Sequence, residues 1–489
     1  MRVLQVSAEF FPLLKTGGLA DVAGALPLAL AAGGQDVQVL LPGFPSILAG
    51  LSDATTVAEI EAPWGQRARL RAGHIAAPGG VRVAAYVLDA PALYDRPGTP
   101  YEDASRQPYA DNARRFALLG WAAARLARGL DPTWQPDVVH AHDWHAGLAP
   151  AYLAFDAASS GRGGPRVGSV FTVHNLAYQG VFPPSDFAGL GLPPAAFDVN
   201  GLEYHGQLSF MKAGLYFSDR LTTVSPTYAR EIQTPEQGCG LDGLLRGRSG
   251  VLTGILNAVD DAVWDPGTDN LLPHPYDVRR PGGKALCKAG LQQELGLATD
   301  PDAPLFVMVS RLTEQKGQHL VLDGLDALIA QGGQLALLGS GERWLEDAFR
   351  DRAAAAPQSV HATIGYNERF AHRLFGAGDV TLVPSMFEPC GLTQMYGLKY
   401  GSLPLVHRVG GLADTVVDCT LEDIADGHAT GFVYDGFDAD GYGRALRRAF
   451  ALYRRPADWR RVRGTAMRQP ADWQAAATRY IGVYEQSRA

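Results

Sequence analysis

Residues 3–30 read VLQVSAEFFPLLKTGGLADVAGALPLAL, which is a short apolar run, a glycine turn and then a helical pattern. Residues 3–8 have the character of a buried strand, and apolar residues from Leu19 to Leu30 recur at helical spacing. The turn between them is Lys15-Thr16-Gly17-Gly18. Glycine lets the backbone approach a ligand, and the free amides of a helix N-terminus favour an anion. The stretch predicts a strand–turn–helix unit that binds an anionic group; the alternative is a turn that serves only the fold.

The alternation of strand and helix continues along the chain in two series. The first series has apolar runs at 3–8, 36–42, 81–89, 137–142, 167–174 and 220–225, with a helical stretch at 112–130. The second has runs at 303–312, 334–341, 360–366, 378–385 and 403–409, with a helical stretch at 319–331. Such alternation predicts an α/β fold of two doubly wound parallel sheets, and a cleft between the sheets is the expected place for a ligand.

The boundary between the two series is predicted from composition. Residues 256–277 are rich in Pro, Asp and Asn, which is typical of a linker. We therefore expect domains over 1–255 and 278–468, followed by a C-terminal helix over 469–489. Sequence pattern alone leaves open whether that helix ends the second domain or packs back on the first.

Composition limits the class of protein. The 489 residues carry a net charge of -8, which disfavours nucleic acid as a partner. The mean hydropathy is -0.06, and no run is apolar enough to predict a membrane span. The four cysteines lie far apart without a C-x-x-C motif, so we expect neither a disulfide framework nor a zinc knuckle. The first residues lack the pattern of an export signal, and we expect a cytoplasmic protein.

Two later stretches also follow predicted strands. In SRLTEQKG (310–317), Arg311 and Lys316 can both face one pyrophosphate, whereas a solvated basic surface is the alternative. In FEPCGL (387–392), Glu388 precedes a proline and a turn that opens a helix, so a carboxylate lies beside free amides. That pairing suits the hydroxyl groups of a sugar, and a glutamate that only caps the helix is the alternative.

Two further patterns carry less information. The turn LGSGE (338–342) could present amides to a phosphate, but the pattern alone is weak and favours a plain turn. HAHDWHAGL (140–148) has the residue types of a dinuclear metal site, although the aspartate directly follows the second histidine instead of standing one residue later. We expect no metal there and interpret Asp143 and His145 as helix-capping, cleft-lining residues.

Six motifs in order resemble the glycogen and starch synthases of bacteria and plastids, over nearly the whole chain. They are KTGGLADV (15–22), HAHDWHAGL (140–148), HNLAYQG (174–180), GILNAVD (254–260), SRLTEQKG (310–317) and EPCGLTQMYGLKYG (388–401). The resemblance implies transfer of glucose from ADP-glucose to the 4-hydroxyl at the non-reducing end of an α-1,4-glucan such as glycogen. It also implies retention of the α configuration, two Rossmann-like domains that face each other across a deep cleft (the GT-B type of fold), and a last helix that returns to the first domain.

The resemblance implies a role for each matching residue. Arg311 and Lys316 would neutralise the departing diphosphate, which requires no metal ion or cofactor. Glu388 and His174 complete the expected catalytic group. The expected substrate-binding residues are Lys15, Gly17, Gly18, Asp21, Asp143, Asn257, Tyr366, Cys390, Gly391, Leu392 and Thr393. The resemblance also puts the acceptor glucan on the first domain and the nucleotide sugar on the second, with Tyr366 stacking on the base.

One position departs from the wider group of retaining glycosyltransferases, which carry Glu-x7-Glu. The second place is Tyr396 here, as in the glycogen synthase branch, so a second catalytic carboxylate is not expected. Two other functions stay open from the residues alone. One is a metallohydrolase that uses His140, His142, Asp143 and His145, and the other is a glucan-binding protein without catalysis.

Overall fold

The computed structural model describes residues 1–160, 166–470 and 472–489 of the chain. The chain divides into two compact units, of which the first comprises Met1–Asn257 and Trp473–Ala489 and the second Ala258–Asp472. No helix among the described residues has the length and apolar character needed to cross a membrane.

The first unit is built on a mixed sheet. Its strands are β1 (Arg2–Val6), β2 (Asp36–Pro42), β3 (Ser52–Glu61), β4 (Arg67–Ala76), β5 (Arg82–Asp89), β6 (Val138–His142), β7 (Gly168–Val173), β8 (Val181–Phe182), β9 (Glu203–Tyr204), β10 (Gln207–Ser209), β11 (Arg220–Thr223) and β12 (Leu252–Gly254). The main sheet has the order β12-β11-β7-β6-β1-β2-β5-β4-β3, and a small separate sheet has the order β8-β10-β9. All main-sheet pairs are parallel except β4 with β5 and β4 with β3, which form an antiparallel edge.

Helices follow most of these strands. They are α1 (Gly18–Ala32), α2 (Pro45–Ala49), α3 (Pro91–Tyr94), α4 (Asn112–Ala127), α5 (Asp143–Ala146), α6 (Leu148–Ser160), α7 (Phe210–Phe217), α8 (Pro226–Glu231) and α9 (Asp242–Gly247), with short 3-10 helices at Pro78–Gly80, Pro184–Leu190, Pro194–Ala196 and Ser249–Val251. The central strands are buried on both faces, as expected for parallel strands covered by helices.

The second unit contains a sheet whose described strands all pair in parallel. Its strands are β13 (Leu305–Val309), β14 (Gln334–Gly339), β15 (Val360–Ile364), β16 (Val380–Val383), β17 (Leu403–His407) and β18 (Phe432–Tyr434), in the spatial order β15-β14-β13-β16-β17-β18. Its helices are α10 (Gly282–Glu294), α11 (Gln318–Ala330), α12 (Arg343–Ala355), α13 (Glu368–Ala377), α14 (Thr393–Tyr400), α15 (Gly410–Thr415), α16 (Leu421–Asp426), α17 (Ala439–Tyr453) and α18 (Pro456–Met467), with a 3-10 turn at Glu314–Lys316. The strand order reverses at β13, as in a doubly wound sheet, where ligands bind beyond the strand ends.

The last helix, α19 (Trp473–Arg488), belongs to the first unit and packs against α1 and β7. Tyr484 on this helix is fully buried and hydrogen-bonds to Gln5 of β1. The predicted α/β class, its parallel sheets and the returning helix are confirmed. The sequence pattern did not predict the β3–β4 hairpin, the small sheet, β12 or β18.

Residues 258–277, predicted as a linker, lie in the second unit. Trp264 in this stretch is buried between two rings, with centroids 3.7 Å from His372 and 3.9 Å from Tyr396. Asp269 is also buried and accepts hydrogen bonds from His372 and from Tyr400. Most of the stretch is irregular in backbone but contributes to a packed interior.

Candidate functional site

The loop after β13 brings Lys316 to Glu388. The Lys316 Nζ lies 2.6 Å from Glu388 Oε2, and the Ser385 hydroxyl donates to the same oxygen over 2.9 Å. The Lys316 side chain is 17% exposed and that of Glu388 is 9% exposed. A charge-assisted bond in such partly buried surroundings is stronger than one at the open surface. The two predicted catalytic residues therefore form one ion pair.

Two loops meet to make this pair, and a glycine lets them meet. Gly317 has a φ of +73°, and a Cβ at this position would overlap the carbonyl oxygen of Pro384. The Met386 amide donates to the Gln315 carbonyl over 2.8 Å, which joins the loops backbone to backbone. The loop geometry, more than the spacing within either motif, fixes the ion pair.

The start of α14 carries the next predicted residues. Leu392 is the N-cap position of this helix, and Thr393 is its first residue. The Thr393 hydroxyl donates to the Val309 carbonyl over 3.4 Å. Gly411 donates its amide to the Glu388 carbonyl over 3.1 Å, so α15 packs against the backbone that carries Glu388 and Cys390.

Tyr396 has a structural reason to be aromatic. Its ring stacks on Trp264 with an interplanar angle of 14°, and the side chain is 8% exposed. A carboxylate here would bury a charge against an indole ring, which is costly without a partner. At position 396, where the wider group of retaining glycosyltransferases has its second glutamate, this chain therefore has a tyrosine that packs on Trp264.

Two predicted residues of the second unit are more exposed. Tyr366 is 73% exposed and its hydroxyl donates to Glu368. Arg311 is exposed at the end of β13, and the Gln318 side chain donates to its carbonyl over 2.6 Å. Their roles toward a nucleotide stay predictions.

The glycine turn of the first unit holds Lys15 beside Asp21. The Lys15 Nζ lies 2.9 Å from Asp21 Oδ1 and 5.2 Å from the centroid of the Phe11 ring. Gly17 precedes α1 with an extended backbone, and space remains around the position where a Cβ would be. The helix dipole of α1 favours a negative group at this end.

The sequence interpretation missed Glu9, which organises the turn. Its buried carboxylate accepts the amide of Thr16 over 2.7 Å and the amide of Gly17 over 3.4 Å. The hydroxyls of Thr16 and Tyr101 also donate to it. Glu9 stands three residues after β1, at a strand end where ligand contacts concentrate, and this position was the available signal.

Asp143 directly follows β6 and His174 directly follows β7, and the two residues lie side by side at the ends of these neighbouring strands. The His174 amide donates to Asp143 Oδ1 over 2.7 Å, and the Asn175 amide donates over 3.4 Å. Asp143 has a φ of +55°. Burial raises the pKa of Asp143 to about 7, although the two amides act in the opposite direction. The nearby charge of Glu9 adds to the increase.

We expect the Asp143→Asn variant to gain stability relative to the unmodified chain as pH rises. The folded-state pKa of Asp143 exceeds its ordinary value of 3.8, so the folded protein holds a proton that the unfolded chain has lost. The unmodified chain therefore loses stability between pH 4 and 7, whereas asparagine keeps the acceptor and tolerates the positive φ. Urea unfolding at several pH values should show a difference that grows by roughly 3–4 kcal/mol between pH 4 and 7 and is level above pH 7. A difference that does not change with pH would contradict the assignment.

Two of the three histidines in the 140–148 motif form hydrogen bonds to protein groups, whereas His145 stacks on Tyr101 and its buried Nδ1 has no hydrogen-bond partner among the described residues. His140 reaches Tyr484 and Thr172 through its two ring nitrogens, and His142 reaches His174 and Gln5. Among the described residues, no group of three or more His, Cys, Asp or Glu side chains could hold a metal ion. Asn257 is buried, and its side-chain oxygen has no hydrogen-bond partner in the described part of the chain.

Comparisons with known proteins show the family of the chain. Residues 2–247 match the family model of the starch synthase catalytic domain, and residues 294–462 match that of the glycosyl transferases group 1. The glycogen synthase of Variovorax paradoxus is 74% identical, over 100% of this chain and 99% of its own length. That of Leptothrix cholodnii is 60% identical, with 99% of both chains covered.

A solved structure gives the same answer for the fold. The catalytic domain of starch synthase IV from Arabidopsis thaliana, bound to ADP and acarbose, superimposes with a TM-score of 0.88 at 30% identity. The match covers 100% of this chain and 99% of that one, and its fold is of the GT-B type. These relatives are enzymes, so the metallohydrolase and the non-catalytic glucan-binding alternatives are wrong. The chain belongs to the glycogen and starch synthase family of glycosyltransferases.

Proposed function

We propose that this glycosyltransferase moves glucose from ADP-glucose to the non-reducing-end 4-hydroxyl of an α-1,4-glucan such as glycogen, releasing ADP and retaining the α configuration. The observation that carries the proposal is the 2.6 Å pair of Lys316 and Glu388, which joins the loops after β13 and β16. A relative of similar fold bound to ADP and acarbose supports an adenine nucleotide as donor.

The cations of the second unit act on the leaving group. Breaking the bond between the sugar carbon and the phosphate oxygen places negative charge on the diphosphate. An ammonium carries three N–H donors, so Lys316 can keep its bond to Glu388 and still donate to phosphate oxygens. Arg311 adds a second fixed charge, and together they stabilise the departing group without a metal ion.

Glu388 binds the sugar in this proposal. Lys316 and Ser385 hold its carboxylate in one orientation, and its remaining lone pairs accept hydrogen bonds from sugar hydroxyls. The backbone amides at the start of α14 add donors beside it. The further contacts that we propose in this unit come from Cys390, Gly391, Leu392, Thr393 and, stacked on the base, Tyr366.

Retention follows from a reaction on one face of the sugar. The acceptor 4-oxygen forms its bond to the sugar carbon on the side from which the diphosphate leaves. The proton of the acceptor hydroxyl passes to the departing phosphate oxygen, so no second carboxylate is needed. Tyr396, packed on Trp264, is consistent with this route because an ordinary retaining glycosidase requires a carboxylate nucleophile.

In the first unit we propose contacts to donor and sugar. Lys15 and the amides of Gly17 and Gly18 would donate to phosphate oxygens. The existing bond from the Gly17 amide to Glu9 is long, at 3.4 Å, so its exchange for a phosphate costs little. His174 and Asn257 would contact the sugar, while Asp21 and Asp143 line the same site.

The proposal is tested with the full chain, glycogen and either ADP-glucose or UDP-glucose, with and without excess chelator. We expect ADP release matched by glucose incorporation, new α-1,4 linkages in the product, and a rate that the chelator leaves unchanged. Release of diphosphate from neither donor would overturn the assignment. A chelated enzyme that recovers only with added metal would overturn metal independence, and preference for UDP-glucose would correct the donor.

A further inference from the structure

A chain of hydrogen bonds joins His174 to the C-terminal helix α19. His174 Nε2 lies 2.9 Å from His142 Nδ1, and His142 Nε2 lies 2.6 Å from the Gln5 side-chain oxygen. The Gln5 amide nitrogen donates to the Tyr484 hydroxyl over 2.9 Å. We call these four side chains, His174, His142, Gln5 and Tyr484, the relay. All of them are buried.

The line of hydrogen bonds continues beyond the relay, from Tyr484 onward. The Tyr484 hydroxyl lies 2.9 Å from His140 Nδ1, and His140 Nε2 lies 2.6 Å from the Thr172 hydroxyl. Thr172 in turn contacts the hydroxyl of Thr222. Four neighbouring strands, β1, β6, β7 and β11, and helix α19 thus contribute to one continuous line of donors and acceptors.

The histidines of this line are neutral. Burial lowers the pKa of His140 and of His174 to about 3, and lowers that of His142 well below its ordinary value. A neutral imidazole has one N–H donor and one acceptor nitrogen. Each ring can therefore donate in only one direction along the line.

The orientation of Gln5 sets that direction. Its oxygen accepts from His142 Nε2, so the acceptor of His142 is Nδ1, which faces His174. His174 must then donate from Nε2. On the other side, Tyr484 accepts from Gln5 and donates to His140 Nδ1. Every bond in the line points away from His174, and reversing one requires reversing all of them.

We infer that Gln5, His142 and Tyr484 are positioning residues that hold His174 as its Nε2–H tautomer, so that Nδ1 accepts a hydrogen bond from a hydroxyl of the transferred sugar. This inference rests on the proposed function, in which His174 contacts the sugar. It gives α19 a task in the reaction, because Tyr484 comes from that helix. A carboxylate or a backbone carbonyl often fixes the tautomer of a histidine by accepting a hydrogen bond from one ring nitrogen; here a line of neutral side chains does so.

The test is Tyr484→Phe in the full chain. Phenylalanine keeps the packed ring but removes the hydroxyl that accepts from Gln5 and bonds to His140, so the Gln5 amide can turn over and either tautomer of His174 is allowed. Nitrogen NMR of the histidine-labelled, substrate-free protein reports which ring nitrogen carries the proton, and His174→Gln assigns the His174 signals among the 12 histidines. We expect only the Nε2–H form in the unmodified chain and both forms in Tyr484→Phe. We also expect kcat to fall about tenfold, the effect of one weakened hydrogen bond, with KM for the donor nearly unchanged.

Ser487→Ala is the matched control. Ser487 is a buried hydroxyl on the same helix, but it donates to the carbonyl of Tyr484 within α19. Its spectrum and kcat should equal those of the unmodified chain. A proton on Nδ1 of His174 in the unmodified chain would overturn the inference without any variant, as would an unchanged His174 tautomer in Tyr484→Phe.

The tautomer measurement separates this inference from the proposed function. If His174 is in the Nε2–H form but the chain transfers no glucose from a nucleotide sugar, the inference about the relay stands and the proposed function is wrong. A chain that transfers glucose while His174 carries its proton on Nδ1 would retain the function and lose the relay.

Discussion

Lys316→Ala is expected to lower the turnover of glucosyl transfer by about 10²–10³-fold, the loss seen when one preorganised donor to a developing negative charge is removed. Lys316 supplies the proposed charge to the departing diphosphate. It also neutralises Glu388, whose carboxylate is almost fully buried. The measurement is the steady-state rate of ADP release at saturating donor and glycogen. A rate within a few-fold of the unmodified enzyme would contradict the proposed role of Lys316.

The control separates leaving-group stabilisation from loss of an ion pair. Lys399 forms an ion pair of similar length with Asp261 in the same unit, 2.7 Å from nitrogen to oxygen although more exposed, so Lys399→Ala removes the same atoms elsewhere. We expect Lys399→Ala to retain most of its activity. The Lys316→Ala, Glu388→Gln double variant removes the unpaired buried charge. It should regain stability but not turnover, because the contribution of the Lys316 ammonium to stabilising the diphosphate is still missing.

The sequence predicted the local units well because each rests on neighbouring residues. Apolar runs and helical spacing located most parallel strands, and the turn at Lys15 and the loop at Lys316 follow strands as expected. The pair of Lys316 with Glu388 joins residues 72 positions apart. The motifs predicted both residues but not their bond, since only the fold sets the distance between two loops.

The features that the sequence did not predict depend on distant partners or on mixed patterns. Glu9 accepts a hydrogen bond from the hydroxyl of Tyr101, which lies 92 positions later in the chain. Gln5 donates a hydrogen bond to Tyr484, which lies 479 positions later. Strand β3, SDATTVAEIE, is largely polar and partly exposed, so it lacks the apolar run that marked the buried strands. Trp264 stands among the turn-forming residues of the predicted linker, and it is buried by rings more than 100 positions later, including those of His372 and Tyr396.

Gly410→Ala is expected to lower kcat by displacing the backbone of Glu388, although Gly410 itself has no proposed contact with substrate. Gly410 has a φ of +44°, and a Cβ there would overlap the carbonyl oxygen of Glu388 and lie 2.8 Å from its carbonyl carbon. The backbone that carries Glu388 would have to move. Because misplacement of a reacting group by about 1 Å can cost 100-fold in rate, we expect kcat to fall by about that factor. Unfolding should also become easier, by about 2–4 kcal/mol, from the positive φ and the overlap together.

Gly427→Ala distinguishes the overlap from the backbone conformation. Gly427 follows α16 with a φ of +79°, but nothing lies within 4 Å of the position of its Cβ. Alanine there adds only the cost of the left-handed conformation, about 1–2 kcal/mol, and should leave kcat unchanged. Urea unfolding and ADP release, measured on both variants, give the comparison. Equal activities in the two variants would show that the backbone of Glu388 tolerates displacement, and the proposed fixed placement of its carboxylate would then be wrong.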